Sequence, residues 1–209
     1  MVNLVVSTAS KLLDWFEVNG RDLPFRWLAD PFRILVAGVL LRQTKAAQVA
    51  SVFPRLVEIY PTSRLLANAN IESLKAILKP LGITSRALSL VKISQTLETN
   101  YEGKVPRKYD ELVKLPGVGD YIASCVLALG YGNAIPMIDV NVTRVFSRIF
   151  GAEKDIRGLY FSICSRNALE SFHYAVLDLG DLVCKHSNPK CDLCPIAEDC
   201  SYYTAISGL

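Results

Sequence analysis

Apolar residues recur at three- and four-residue spacing through most of the chain, and no stretch alternates for long enough to make a strand. A first amphipathic helix fits Thr8 to Asn19, with Leu12, Leu13 and Phe16 on one side and Gly20 placed to stop it. Asp30 followed by Pro31 is an N-cap and first-turn pair. The run Ile34 to Leu41 then predicts a helix buried on nearly all sides, whose end delivers Arg42, Gln43 and Thr44 to a loop. Thr44 is placed to cap the next helix, from Lys45. Pro54 kinks that helix rather than ending it, because Leu56, Val57 and Ile59 continue the apolar pattern. Further helices are expected at 63–68, 71–79, 85–98 and 108–114, one of about ten residues from Asp120, and one from Val140 to Phe150 stopped by Gly151. These expectations describe an all-α protein.

Composition narrows the class. At 209 residues the chain can form one large domain or two small lobes, and 51% hydrophobic residues exclude disorder as the default. Residues 121–138 carry no charge, yet Gly130, Gly132, Asn133 and Pro136 break the stretch well short of the ~20 residues a membrane span requires. It reads as a buried helix followed by a turn. The start, Met-Val-Asn-Leu-Val-Val-Ser, has no basic region and soon meets Lys11 and Asp14, so it does not read as a signal peptide, and an intracellular protein is expected. A net charge of only +3 argues weakly for a polyanionic partner, so local placement must carry that argument.

Two stretches carry candidate chemistry. In Leu115-Pro116-Gly117-Val118-Gly119, Pro116 fixes one φ while the glycines permit a left-handed or crowded backbone and leave room for an anion near the amides of the following helix. Many such stretches are only turns. Of six cysteines, Cys125 and Cys164 lie in apolar surroundings and read as small core residues. The other four, Cys184, Cys191, Cys194 and Cys200, are spaced C-x6-C-x2-C-x5-C, and in an intracellular chain they point to metal rather than disulfides. Four thiolates bind zinc or an iron-sulfur cluster; zinc sites usually pair two close knuckles, and here the only close pair is Cys191 and Cys194.

The cysteine spacing, the hairpin and Asp139 together resemble the endonuclease III superfamily of helix-hairpin-helix DNA glycosylases, over about Trp15 to Tyr203. Within it, Asn-Gly-Arg-Asp-Leu-Pro-Phe-Arg (19–26), Asp-Pro-Phe-Arg-Ile-Leu (30–35) and Leu-Leu-Arg-Gln-Thr (40–44) are most similar to the thymine/uracil mismatch and A/G mismatch adenine glycosylases. The resemblance implies a six-helix lobe at 28–137 and a second lobe, 1–27 with 138–209, around a [4Fe–4S] cluster on the four cysteines. The catalytic cleft would lie between the lobes, near Asp139. The partner would be double-stranded DNA with a mismatched or damaged base, bound by a monomer. Gln43 would enter the duplex, flanked by Arg42, and Ile83 would meet the DNA unless the 79–86 turn is a plain connector. Gly117, Val118 and Gly119 would grip the backbone. The loop Lys185-His186-Ser187-Asn188-Pro189-Lys190, fixed at metal-bound ends, would offer Lys185 and Lys190 to phosphates.

The same resemblance bears on the substrate. Asp139 is the family's carboxylate by position, although an Asp before a helix is also an ordinary N-cap, and both roles coexist. Strand-cutting relatives form an imine from a lysine where this chain has Tyr121, which implies base removal without strand cleavage. Adenine glycosylases use a glutamate where this chain has Gly38, and their appended domain has no counterpart before Leu209. Mismatch thymine glycosylases commonly carry an acid there too, so a different pocket is expected, with thymine or uracil opposite guanine as first choice. The alternatives are an adenine glycosylase and a DNA-lesion-binding protein without catalysis.

Overall fold

The computed structural model describes the backbone of residues 2–151, 155–163 and 169–208, and side chains of 6–151, 155–161 and 169–208. Cys164, expected in the core, lies outside the described residues. In order, the helices are α1 (Val2–Asn19), α2 (Pro31–Leu41), α3 (Ala46–Ile59), α4 (Ser63–Ala67), α5 (Ile71–Leu78), α6 (Arg86–Tyr101), α7 (Tyr109–Leu112), α8 (Asp120–Cys125), α9 (Val140–Phe150), α10 (Ile156–Ile163), α11 (Leu169–Leu182) and α12 (Ser201–Ser207). No strand occurs among the described residues, as the absence of alternation predicts. No described helix is long and apolar enough to cross a membrane. The uncharged stretch forms α8 and a π-helical turn, Val126–Gly130, and then loses regular structure.

The chain folds as two compact units, Asp22–Asn133 and Met1–Arg21 with Ala134–Leu209. In the first, Asp30 Oδ1 accepts from the amides of Phe32 (2.8 Å) and Arg33 (3.3 Å), starting α2 where Pro31 allows it. Phe32, Ile34, Leu35, Val36, Ala37, Val39 and Leu40 are all buried, so α2 is the central helix of this unit. The π-helical turn packs closely on it: a Cβ at Gly130 would meet Pro31 Cα at 3.0 Å. Thr62 and Asn70 cap α4 and α5 in the same manner as Asp30.

Two local expectations fail. Thr44 does not cap α3, whose N-cap is Lys45 with no side-chain bond; its hydroxyl instead accepts from Arg86 Nη1 at 2.7 Å. Pro54 sits inside α3 as expected. Gly20 follows α1 without a left-handed φ; what requires glycine there is space, since a Cβ would lie 2.5 Å from the Phe16 carbonyl oxygen.

The second unit has an aromatic and aliphatic core from α9, α10 and α11. Phe146 stacks on Tyr160 (centroids 5.7 Å apart) and meets Phe172 edge-on, with Leu12, Val142, Val145, Val176 and Leu179 buried around them. Asp178, fully buried on α11, accepts from the Arg21 amide and Nε, both at 2.8 Å, which fixes the chain as it leaves α1.

Candidate functional site

In the Asp22–Asn133 unit, three loops hold most of the residues expected to meet DNA. The first follows α2. Gln43 is exposed and adopts φ 52°, a left-handed conformation unusual for a side chain of its size. The second runs through a 3-10 turn, Lys79–Leu81, to Gly82 at φ 70° and the half-buried Ile83. The third is the hairpin before α8. Val118 is buried, and its amide donates to the Leu115 carbonyl at 3.0 Å to close the turn. Gly117 has φ 77°, so the backbone requires glycine, and a Cβ there would press to 3.1 Å on Arg42 Nη1. Arg42 is not a free contact: Nη1 donates to the Gly117 carbonyl at 3.0 Å and joins the first loop to the third. Gly119 differs from the expectation of crowding, because its φ is −102° and a Cβ would meet nothing within 4 Å. Its bare backbone faces open space. Tyr121, half-buried, lies in the first turn of α8.

Gly38, on α2, faces Ile122 of α8, where a Cβ would meet Ile122 Cγ2 at 3.1 Å and Cγ1 at 3.3 Å. Ile122 therefore takes the room that a longer residue at 38 would need.

In the other unit, Asp139 begins α9. Oδ1 accepts from the amides of Asn141 (2.9 Å) and Val142 (2.8 Å), and Oδ2 accepts from Asn141 Nδ2 (2.8 Å). A carboxylate offers about four acceptor positions, so roughly one is left for a water or a substrate group. Asn141 is fixed in turn: its Oδ1 accepts from Arg144 Nη2 at 2.8 Å, and that guanidinium also donates to the carbonyls of Gly180 (2.9 Å) and Cys184 (3.0 Å). Gly180 makes this approach possible, since a Cβ would lie 3.2 Å from Arg144 Nη2.

Cys184, Cys191, Cys194 and Cys200 line one small cavity together with Val145, Ile149 and Tyr202. No three described His, Cys, Asp or Glu side chains are gathered tightly enough for a single metal ion. Burial raises the Cys194 thiol to about 11, and the other three thiols push it the same way; burial and then Cys200 and Cys184 raise Cys191. Four thiolates at this cavity need a cationic partner. Arg148 Nη1 lies 3.3 Å from Cys184 Sγ and donates to the Lys185 carbonyl at 2.6 Å, while Nη2 donates to the His186 carbonyl at 2.9 Å. Lys185 and Lys190 are exposed on the loop so held.

Residues 36–159, which include the hairpin and Asp139, match the family model of the HhH-GPD superfamily base excision DNA repair protein. The chain belongs to that superfamily. This HhH-GPD chain is 36% identical over 206 residues to the thymine-DNA glycosylase of Aeropyrum pernix, with 92% of each chain covered. It is 37% identical over 206 residues to the thymine/uracil-DNA glycosylase of Pyrobaculum aerophilum, covering 92% of this chain and 90% of that one. The solved structure of a thermostable thymine-DNA glycosylase superposes with a TM-score of 0.88 at 27% identity, over 97% of this chain and 98% of that chain.

The sequence reading of this HhH-GPD protein missed four residues that organise the site. Asn141 gave no signal, being one polar residue in a helix. Arg144 and Arg148 did: they stand four apart as the two charged residues of α9, so one face of that helix had to carry two cations toward something. Arg86 looked like an ordinary helix-start residue.

Proposed function

We propose that this chain is a monofunctional DNA glycosylase of base excision repair that removes thymine or uracil opposite guanine. The observation that carries the reading is its 36–37% identity, over nearly full length, with relatives named for thymine and uracil. Turning a base out of the duplex costs a few kcal/mol, least at a mismatch, so mispairing itself favours the substrate. Gln43 fills the gap left in the stack and Ile83 meets the DNA beside it. The hairpin amides of Gly117, Val118 and Gly119 hold a phosphate, a role supported by the open space over Gly119.

Chemistry then centres on Asp139. As the bond from C1′ to the pyrimidine nitrogen lengthens, its electron pair leaves with the base and positive charge builds on the sugar. The carboxylate, held by three donors, stabilises that charge and takes a proton from the water that bonds to C1′. The departing pyrimidine anion is protonated by solvent. With Ile122 occupying the space beside Gly38, no acid stands at that position, which suits an anionic leaving group better than a purine needing protonation.

Cys184, Cys191, Cys194 and Cys200 would hold a [4Fe–4S] cluster, which when bound supplies a fully ligated cross-link with no open position for substrate. Its loop then presents Lys185 and Lys190 to phosphates at low entropic cost. The deciding experiment is a panel of duplexes carrying T:G, U:G, A:G, A:8-oxoguanine and oxidised pyrimidines, scored with and without alkali. Cleavage of T:G and U:G strands only after alkali is expected; a preference for A:G would move the chain to the adenine class, and no base release from any duplex would leave a binding protein.

Tyr121 carries a separate prediction. A phenol forms no imine with the sugar, so borohydride traps no covalent complex with the wild-type protein. Tyr121→Lys should create detectable trapping. Trapping by the wild type would contradict the monofunctional reading.

A further inference from the structure

We propose that Arg86 is a positioning residue for base extrusion: its buried guanidinium holds the Gln43 loop in its left-handed shape and ties it to the loop bearing Ile83. Arg86 is only 8% exposed. Its Nη1 donates to the Leu40 carbonyl, one of the orphan acceptors at the C-terminus of α2, and to Thr44 Oγ1 at 2.7 Å. Thr44 Oγ1 donates onward to the Arg42 carbonyl at 3.3 Å, and the Thr44 amide to the Leu41 carbonyl at 3.3 Å. Bonds therefore close on both sides of Gln43, whose φ of 52° is strained for a residue with a side chain. Arg86 also opens α6, and its amide donates to the Ile83 carbonyl at 3.3 Å, so one residue anchors both loops. Keeping a cation there is costly: burial and the nearby Arg42 charge hold its pKa below the usual arginine value. A residue serving only as core packing has no need of that charge.

The inference rests on reading Gln43 as the residue that enters the duplex, and the test separates the two. Single-turnover uracil removal is compared on a U:G duplex and on a duplex with uracil opposite an abasic tetrahydrofuran spacer, where no partner base must be parted from it. The readout is the ratio of the two rates. Arg86→Met, checked by circular dichroism and melting, should lower the ratio by roughly tenfold, the scale of one lost charged hydrogen bond. Gln43→Ala should lower it similarly. The double variant should do no worse than the more severe single one, because both act on one step. Arg86→Lys, which keeps the charge, should recover part of the loss. Equal slowing on both duplexes by Arg86→Met, while Gln43→Ala lowers the ratio, would overturn the role of Arg86. An unchanged ratio for Gln43→Ala would overturn the wedge reading beneath it. If Arg86→Met does not fold, Thr44→Val carries the test. It removes only the hydroxyl link, so a ratio lowered about threefold supports the proposal and an unchanged ratio overturns it.

Discussion

Asp139→Asn lowers single-turnover base removal from a T:G duplex by at least about a hundredfold while leaving the fold intact. At about 4 Å and an effective dielectric near 20, a carboxylate and an oxocarbenium attract by roughly 4 kcal/mol, or about three decades of rate, and the lower bound allows for a higher effective dielectric. Asn is the informative replacement because its Oδ1 still accepts from the amides of Asn141 and Val142, preserving the start of α9. Its amide group would face Asn141 Nδ2, donor against donor. Asn141 cannot turn over freely to answer, since its own Oδ1 serves Arg144. That mismatch costs about 1 kcal/mol, or roughly 2–4 °C in melting for a chain of this size. Binding to mismatched DNA persists, and tightens if anything, as a negative charge leaves a surface near phosphates. A variant that folds and removes thymine at near wild-type rate would reduce Asp139 to a helix cap.

What the sequence disclosed and what it hid divide by range. Asp30 and Asp139 were legible as caps because each bonds amides two and three residues on, and α9 ends at Phe150 where Gly151 follows. The burial of α2 was legible because its apolar run leaves almost no polar face. Thr44 was misread for the opposite reason. Its partner stands 42 residues away in Arg86, and a distant guanidinium competed successfully with a local backbone amide. Gly117 was read correctly as a left-handed position, but nothing nearby announced that Arg42 would occupy the space beside it. The helices α10 and α11 were not anticipated, although Phe172, Val176 and Leu179 fall at helical spacing and all point into the core. The cysteine spacing pointed to a metal group; only the folded chain shows that Arg144 joins the Cys184 carbonyl to Asn141, and so to the carboxylate.

On the proposed [4Fe–4S] assignment, Cys194→Ser yields a protein without the brown cluster colour, in which residues 184–208 come loose while α9 and α11 stay protected. Burial pushes the Cys194 thiol up to about 11, so thiolate ligation there depends on the positive charge of a bound metal group. Otherwise the segment it anchors is held at few points, among them the Lys11 ion pair with Asp199 at 2.8 Å. Among the described residues beyond Val183, only Ile196 and Cys200 are fully buried, and α12 offers the core no more than the partly buried Tyr202 and Tyr203. Arg144 and Arg148 grip the carbonyls of Cys184, Lys185 and His186; beyond these, the Arg148 carbonyl accepts from Cys200 Sγ at 3.3 Å and its guanidinium lies 4.8 Å from the Tyr202 ring centroid. By contrast Phe146, Tyr160, Phe172 and Val176 do not line the cavity and form the part of the core farther from the cysteines, although Ile196 and Cys200 pack into the same cluster. Structural metal sites contribute on the order of 10 kcal/mol to the parts they fold. Even half of that, at about 2–4 °C per kcal/mol, lowers the melting temperature by at least about 10 °C. Hydrogen exchange should show the loss confined to 184–208, and protease should cut there first. DNA affinity should fall with a shallower salt dependence, because Lys185 and Lys190 no longer sit at fixed positions. Wild-type protein that carries stoichiometric zinc and no acid-labile sulfide would sink the cluster assignment. A Cys194→Ser variant with unchanged exchange across 184–208 would show that the arginines alone hold the loop.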